Sequence, residues 1–313
     1  MRVVFLSHND WANMSYEYSK ALNQIGISTW AFKIGSNHPN YKIGVPKFKK
    51  TKEILKLIIK ANVIVFNHSE FIDTGIDLSN KLVCVMHTGS KYRQNSKKLN
   101  KFFNRIVDVT FSGGDVLNMG AKNEYWLQPA IDTNKLEPNY KKDFNKPIII
   151  AHYPSGNKCS DNIQKAINNL KSKNFIFKYD QTRVSWEENL KRVSECDIYI
   201  EALCSHQNEI PLYIYGISAI ESSALGKITC ARFPVINEYE KIFGKCGIFA
   251  TNTIQELTNT LDRILSLSKE DFLNLQKESR LWAERTSSYN AIGLFLKNIF
   301  EKELSEKINN MKR

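Results

Sequence analysis

Apolar positions along this chain follow two alternating periods. Short β-branched and apolar runs at residues 2–7, 28–34, 62–66, 81–86 and 107–112 read as buried strands. Between the first two, Tyr18, Ala21, Leu22 and Ile25 recur at helical spacing over residues 14–25, and Gly26 closes that helix. Residues 52–60 carry a second helical pattern. Strands that alternate with helices predict a parallel sheet covered on both faces.

A polar, proline-bounded segment at residues 138–147 interrupts the pattern, which then restarts. Strands are predicted at 147–151, 175–179, 198–203, 228–233 and 247–250. Helices are predicted at 161–170, 186–194, 216–225, 254–267, 269–284 and 289–310. The expectation is an α/β chain of two doubly wound, Rossmann-like domains at residues 1–145 and 146–285. Residues 286–313 form a C-terminal helix directed back toward the first. In doubly wound sheets ligands sit at the carboxyl ends of strands, so the loops after strands carry the chemistry.

The length of 313 residues suits two domains of ordinary size, and 42% hydrophobic with 24% charged residues is a globular composition. No apolar run approaches the ~18 residues of a membrane span. Met1 to Ser7 reads as a strand rather than a signal peptide, because its apolar stretch is short and no small-residue cleavage site follows. The six cysteines are scattered, several within apolar strands, and none are spaced as CxxC. That usage fits a reducing cytoplasm better than a disulfide framework, and it gives no zinc spacing.

The net charge of +12 is uneven: residues 1–145 hold 21 Lys+Arg against 12 Asp+Glu, and the remainder 23 against 20. A basic first half suits phosphate-rich acceptors, anionic membrane at the inner face, or nucleic acid. The joint excess of Lys, Asn and Ile is equally what an AT-rich genome produces. Residues 47–60 are basic and amphipathic, suited to an anionic membrane surface or to a sheet-covering helix. Ile54, Leu55, Leu57, Ile58 and Ile59 are needed to cover the sheet, which favours the second reading.

The most informative stretch is Tyr215 to Lys227, a Gly turn, a short helix and a Gly stop before a strand. Gly216 lets backbone approach a ligand, and the helix start at Ile217 and Ser218 favours an anion through its N–H groups and dipole. Glu221 is the single carboxylate of that small-residue helix. An anion at the helix start and a hydroxyl-rich group on the Glu together describe a sugar nucleotide.

Other strand-end loops offer further candidates. Asn9, Asp10, Trp11 and Asn13 follow the first strand, either facing an acceptor or forming a turn in which Asn13 caps the helix and Trp11 packs. His87 ends a strand and Arg93 follows it, a pairing suited to phosphate or hydroxyl groups. His68 follows residues 63–66 as a weaker candidate. His152, Ser155 and Lys158 follow the strand at 147–151, and Asp197 orients the turn into residues 198–203. No Asp-x-Asp metal pair, Walker A, HExxH or Gly-x-Ser-x-Gly sequence occurs.

The Gly216 segment resembles the donor-binding signature of family 4-like GT-B glycosyltransferases, where a Gly turn leads into a Glu-Ala-x-Ala-x-Gly helix. Glu221 matches the second of that family's two glutamates, which binds the ribose. The first position falls on Tyr213, and Glu209 is the nearest earlier carboxylate. Tyr215-Gly216, the Ser7 to Asn13 opening, His-x-Gly-Ser-x-Tyr-Arg at 87–93 and the 126–132 block resemble a phage and bacterial surface-polysaccharide subgroup. His152-Tyr153-Pro154-Ser155 is similar to the family's His-x-Pro-[Ser/Thr] loop, which precedes a phosphate-binding Arg or Lys. Lys158 matches the Lys, the Arg position falls on Asn157, and Arg183 is a replacement candidate.

The resemblance implies a GT-B fold, two domains facing across a cleft. It implies a cytoplasmic enzyme that moves a sugar from a nucleoside-diphosphate sugar, UDP among the carriers, to a hydroxyl acceptor in a glycan, lipid-linked or surface-polysaccharide substrate. Retention of configuration is implied, with no prosthetic group and no metal. Gly216, Ile217, Ser218, Glu221, Lys158, His152 and Ser155 would bind the donor. His87 and Arg93 would be catalytic, and Asn9, Asp10, Trp11 and Asn13 would face the acceptor. Two other readings stand beside it: a phage-type transferase acting on modified DNA bases, suited to the basic first half, and a non-catalytic sugar-nucleotide-binding protein, suited to the missing first Glu.

Overall fold

The computed structural model describes residues 1–35, 41, 44–154, 156, 158–172, 174–203, 206–207, 210–211 and 215–311. The chain divides into two compact units. Unit 1 comprises Met1–Ile131 and Ser287–Arg313, and unit 2 comprises Asp132–Thr286.

Unit 1 is built from β1 (Arg2–Ser7), α1 (Met14–Gln24), β2 (Ser28–Lys33), α2 (Lys52–Lys60), β3 (Val63–Phe66), β4 (Leu82–His87), α3 (Gly89–Phe103), β5 (Val109–Ser112) and β6 (Glu124–Trp126). The six strands form a parallel sheet in the order β2-β1-β3-β4-β5-β6. Alternate side chains leave the sheet on opposite faces, and both faces are apolar. Val3, Phe5, Val63, Val65, Cys84 and Met86 join one core cluster, whereas Val4, Leu6, Ile64, Phe66, Val83 and Val85 join another.

The helices divide accordingly. Tyr18, Ala21 and Leu22 of α1 enter the first cluster. Ile58 of α2 is buried in the second, with Ile54 and Leu57 packed beside it. Ile59 points out to solvent, so it does not cover the sheet as the sequence pattern predicts. α3 replaces what reads in sequence as a site loop. Its run of Lys, Asn, Gln and Ser hides the helical signal, and within it only Tyr92, Asn100 and Phe103 are buried.

Unit 2 continues with β7 (Ile148–His152), α4 (Ser160–Asn168), β8 (Phe175–Tyr179), α5 (Trp186–Ser194), β9 (Ile198–Ile200), the short antiparallel pair β10 (His206–Gln207) and β11 (Ile210–Pro211), and α6 (Ile217–Ala224). It ends with β12 (Ile228–Ala231), α7 (Ile236–Phe243), β13 (Ile248–Ala250), α8 (Ile254–Leu265) and α9 (Lys269–Ser287). Its parallel sheet runs β13-β12-β9-β7-β8. Segment 138–147, polar enough to read as a linker, is tied to this unit. The Asn139 N–H donates to the Leu225 carbonyl (3.0 Å), and the Lys141 ammonium donates to Asp197 Oδ2 (3.0 Å). Asp197 Oδ2 also accepts the Ile149 N–H (2.8 Å), bracing the start of β7.

The last helix, α10 (Tyr289–Met311), belongs to unit 1. Tyr289, Ile292, Leu296, Ile299 and Phe300 enter the first core cluster. Gly293 permits close helix packing, because a Cβ there would lie 2.5 Å from the Ala21 carbonyl oxygen of α1. Among the described residues no helix is long and apolar enough to cross a membrane. Cys84, Cys196, Cys230 and Cys246 are buried free thiols, whereas Cys159 is disulfide-bonded, a pairing the sequence reading did not anticipate.

Candidate functional site

In unit 2, β8 follows β7 to one side while β9, β12 and β13 extend to the other, so the strand order reverses between β7 and β9. The crevice outside the carboxyl ends of strands at such a reversal is where open α/β sheets bind ligands. Here the loop after β7 supplies Lys158, the end of β9 supplies Glu201, and Gly216 opens α6. The Lys158 ammonium and the buried Glu201 carboxylate form an ion pair. A Cβ built on Gly216 would lie 2.9 Å from Glu201 Oε1 and 3.6 Å from Lys158 Nζ. Glycine is therefore required by close approach and not by backbone angle, since its φ is −90°.

Gly216 is the N-cap of α6 with no side chain to satisfy the first-turn N–H groups, which leaves the helix start open to an anion. Ser218 is hydrogen-bonded through its side chain to the buried Tyr199 hydroxyl, so it anchors the turn. Glu221, one turn on, is buried, and Oε1 accepts a 2.6 Å hydrogen bond from the Trp186 indole at the start of α5. Trp186 is a residue that sequence reasoning missed, and Glu201, legible as the carboxylate that ends the Asp197–Glu201 segment, was given no site role from sequence.

His152 does not face this site. It has no exposed surface, Nδ1 donates to the Ile200 carbonyl (2.8 Å), and Nε2 accepts from Ser160 Oγ (3.0 Å). Burial lowers its pKa, keeping the ring neutral. Both nitrogens are spent on joining β7 to β9 and to α4, so its donor-contact reading is corrected to a bracing one. Arg183 is exposed. Ser155, Asn157, Glu209 and Tyr213 lie outside the described residues.

In unit 1, His87 is fully buried at the end of β4. Its ring stacks on Tyr92 with centroids 3.9 Å apart and meets Phe103 edge-on, while Nδ1 pairs with Ser69 Oγ at 2.8 Å. Burial lowers its pKa to about 3. A ring with no exposed surface, stacked on Tyr92, supports a structural role for His87 rather than the catalytic one expected from sequence. Arg93 lies on α3, its side chain 8% exposed and paired with Asp115. Asp115 also accepts the Gly89 N–H (3.1 Å); burial raises its pKa and Arg93 opposes that.

The loop after β1 is organised by Asp10 rather than Asn13. The Asp10 carboxylate accepts the N–H groups of Ser15 (2.7 Å) and Tyr16 (3.2 Å) at the start of α1. Asn13 makes no cap; it sits at φ 57° with its amide 3.4 Å from Glu17 Oε1. Trp11 is 51% exposed. The Asn9 amide nitrogen lies 3.3 Å from His8 Nδ1.

No family model and no curated protein matches the sequence. Solved structures do match the fold. HepE of Anabaena in complex with UDP-glucose is 11% identical, with 96% of this chain and 100% of that one covered at a TM-score of 0.66. A glycosyltransferase from Rickettsia africae is 12% identical, with 97% and 98% covered at 0.59. AviGT4, a glycosyltransferase involved in avilamycin A biosynthesis, is 10% identical, with 98% of each chain covered at 0.60. Two parallel, doubly wound α/β units, matched over essentially the whole chain by HepE and by the two glycosyltransferases, give this protein the GT-B fold.

Proposed function

We propose that the chain is a glycosyltransferase that moves a sugar from a nucleoside-diphosphate sugar to a hydroxyl acceptor. The observation that carries this reading is the open start of α6 at Gly216, set beside Lys158 at the strand reversal of unit 2. A diphosphate there meets the first-turn N–H groups of Ile217 and Ser218, the helix dipole and one ammonium. Glu221, oriented by Trp186, accepts the ribose hydroxyls. The occurrence of UDP and UDP-glucose in HepE, a chain of the same fold, supports a UDP-linked donor.

In the transfer, the bond from the anomeric carbon to the diphosphate oxygen breaks, the acceptor oxygen bonds to that carbon, and the acceptor proton leaves with the diphosphate. Charge develops on the departing diphosphate, and fixed dipoles aimed at developing charge are usually the largest catalytic contribution. Glu201 holds Lys158 beside the Gly216 turn until phosphate oxygens compete for it. The reaction retains configuration and needs no metal. The donor is a substrate, and no prosthetic group takes part.

A thermal-shift screen with UDP, GDP, ADP and dTDP and their glucose conjugates tests the proposal, since a ligand bound only by the native state raises its melting temperature. At least one nucleotide is expected to raise it in wild type and not in Glu221→Ala. No shift with any of the eight compounds would refute the donor site.

A further inference from the structure

The two ends of α6 are held differently. At its C-terminus Gly226 takes a left-handed φ of 72°. The Lys227 N–H donates to the Ser222 carbonyl (3.0 Å), and the Gly226 N–H donates to the Ser223 carbonyl (2.9 Å). That is a Schellman closure, and it leaves the carbonyls of Ala224 and Leu225 to be met from outside the helix. The Asn139 N–H donates to the Leu225 carbonyl (3.0 Å), and the Arg280 guanidinium of α9 donates to the Ala224 carbonyl. Ser222 and Ser223 fasten the same half of the helix to β12, their hydroxyls lying 2.7 and 3.1 Å from Thr229 Oγ1. The N-terminus leans on the Ser218 contact with Tyr199, and Gly216 supplies no side-chain cap.

Arg280 is buried and spends its whole fork. Besides Ala224, Nη1 donates to the Leu136 carbonyl (2.6 Å), Nη2 donates to the Thr133 carbonyl (2.8 Å), and Nε donates to Glu284 Oε1 (2.7 Å). A rigid, planar guanidinium fixes the spacing of its acceptors, which a single ammonium on a flexible stem does not. The segment that Arg280 grips also touches the helix end directly. A Cβ on Gly226 would lie 2.6 Å from the Tyr140 ring, and the buried Lys227 ammonium donates to the Asn139 carbonyl. Residues 133–140 and α9 thus make a seat for the C-terminal end of α6. An eight-residue helix is ~12 Å long, so a tilt of about 5° at the seat moves the opposite end by about 1 Å. Misplacement on that scale costs on the order of a hundredfold where function depends on fixed geometry.

We propose that Arg280 is a positioning residue of the donor site: through the Ala224 carbonyl it aims α6, so that the Ile217 and Ser218 N–H groups and Glu221 converge with Lys158 on one nucleoside diphosphate. The proposal rests on the glycosyl-transfer reading and adds to it a residue that touches no substrate. An arginine that only stabilised unit 2 would alter folding and leave the geometry at Glu221 as it is. One that aims α6 alters both. The molecule carries its own reporter of that geometry, because the Trp186 indole N–H donates to Glu221 Oε1 whether or not a ligand is bound. It also carries a comparator on the same helix. Gln276 of α9 is fully buried and bonds to the Lys141 N–H (3.0 Å) and the Asp197 carbonyl (3.5 Å), not to α6.

The test compares full-length wild type, Arg280→Met, Arg280→Lys and Gln276→Leu, labelled with ¹⁵N-tryptophan. Urea midpoints report stability, the Trp186 indole resonance reports the placement of Glu221 without ligand, and titration with UDP reports the donor site. Arg280→Met is expected to move the Trp186 resonance and to weaken UDP binding at least tenfold. Arg280→Lys should move both in the same direction and by less. Gln276→Leu should lower the urea midpoint yet leave the resonance in place and UDP affinity within twofold of wild type. In the Arg280→Met background, adding Glu221→Ala should weaken UDP binding by a smaller factor than it does in wild type, since Glu221 is already misplaced. Should Arg280→Met fail to fold, Arg280→Lys decides by the same readouts. An unmoved Trp186 resonance overturns the proposal whatever UDP does. So does a moved resonance with unchanged UDP affinity, or a Gln276→Leu that reproduces the Arg280 variants. Wild type that binds no UDP is the separate outcome that overturns the UDP-donor reading, and the proposal with it.

Discussion

The indole of Trp186 donates to Glu221 across 2.6 Å, joining the first residue of α5 to the middle of α6. One lone pair of the carboxylate is thus fixed in direction before any ligand arrives. Glu221→Ala is expected to weaken nucleotide binding by roughly 1.5–3 kcal/mol, the range for hydrogen bonds to charged groups. Trp186→Phe should weaken it less, by about 1 kcal/mol, because the carboxylate remains but loses its orientation. Isothermal titration of the three proteins with UDP measures both, and equal affinities throughout would remove Glu221 from the site.

Glu201 is the more buried partner of its pair, with a side chain 2% exposed against 27% for Lys158. Removing the cation strands a carboxylate in the interior, whereas removing both partners does not. Lys158→Met should therefore cost about 2 kcal/mol of stability, and Lys158→Met with Glu201→Leu should recover most of that. Urea denaturation gives the comparison. Nucleotide binding should be lost in both, since neither retains the ammonium.

Stability should fall on mild acidification. His87 and His68 have pKa values lowered to about 3 and about 4 from an unfolded value of 6.5. The unfolded chain therefore binds protons below pH 6.5 that the folded chain refuses. The contribution is complete above that pH and is lost as pH falls toward 4, at up to about 1.4 kcal/mol per pH unit for each ring. His87→Phe keeps the aromatic stack and should flatten the slope of urea midpoint against pH between 6.5 and 4.5. An unaltered slope would show that His87 titrates alike in the folded and unfolded protein.

Glycosyl transfer should proceed in excess EDTA once a donor is found. The expectation comes from the lack of an Asp-x-Asp pair in the sequence and from a phosphate site built of a helix start and a lysine. Loss of activity in EDTA that Mn²⁺ restores would assign the diphosphate a different partner.

Gly293→Ala should destabilise unit 1. The added methyl would meet the Ala21 carbonyl at 2.5 Å, a backbone atom that cannot turn aside. A cost of roughly 1–3 kcal/mol is expected from such overpacking, against a gain of at most about 1 kcal/mol in helix propensity. Thermal unfolding of the variant checks the sign.

What could be read in the sequence was whatever depends on local pattern. β1, α2, β8 and α5 have the predicted bounds, because β-branched runs and helical apolar spacing are one-dimensional signals. α3 was hidden because a largely polar helix shows too few apolar positions to register a period. The Gly216 turn was legible through its punctuation. Its partnership with Glu201 and Trp186 was not, since their proximity is created by the strand order β9-β7-β8 and the packing of α5 beside α6. His87 illustrates the converse: a histidine at a strand end looks reactive until Tyr92 and Phe103 are seen to enclose it.

The five apolar side chains that α10 contributes to the first core lie beyond the whole of unit 2 in the chain. A ribosome therefore delivers the whole, continuous unit 2 before the piece that completes unit 1 has emerged. Until then the groove over β1, β3 and β4 exposes Phe5, Val65 and Met86, and the nascent protein must shield it for more than half of its synthesis. Assembly consequently runs opposite to sequence order, with the second-encoded unit first to finish and the first-encoded one waiting for its last helix.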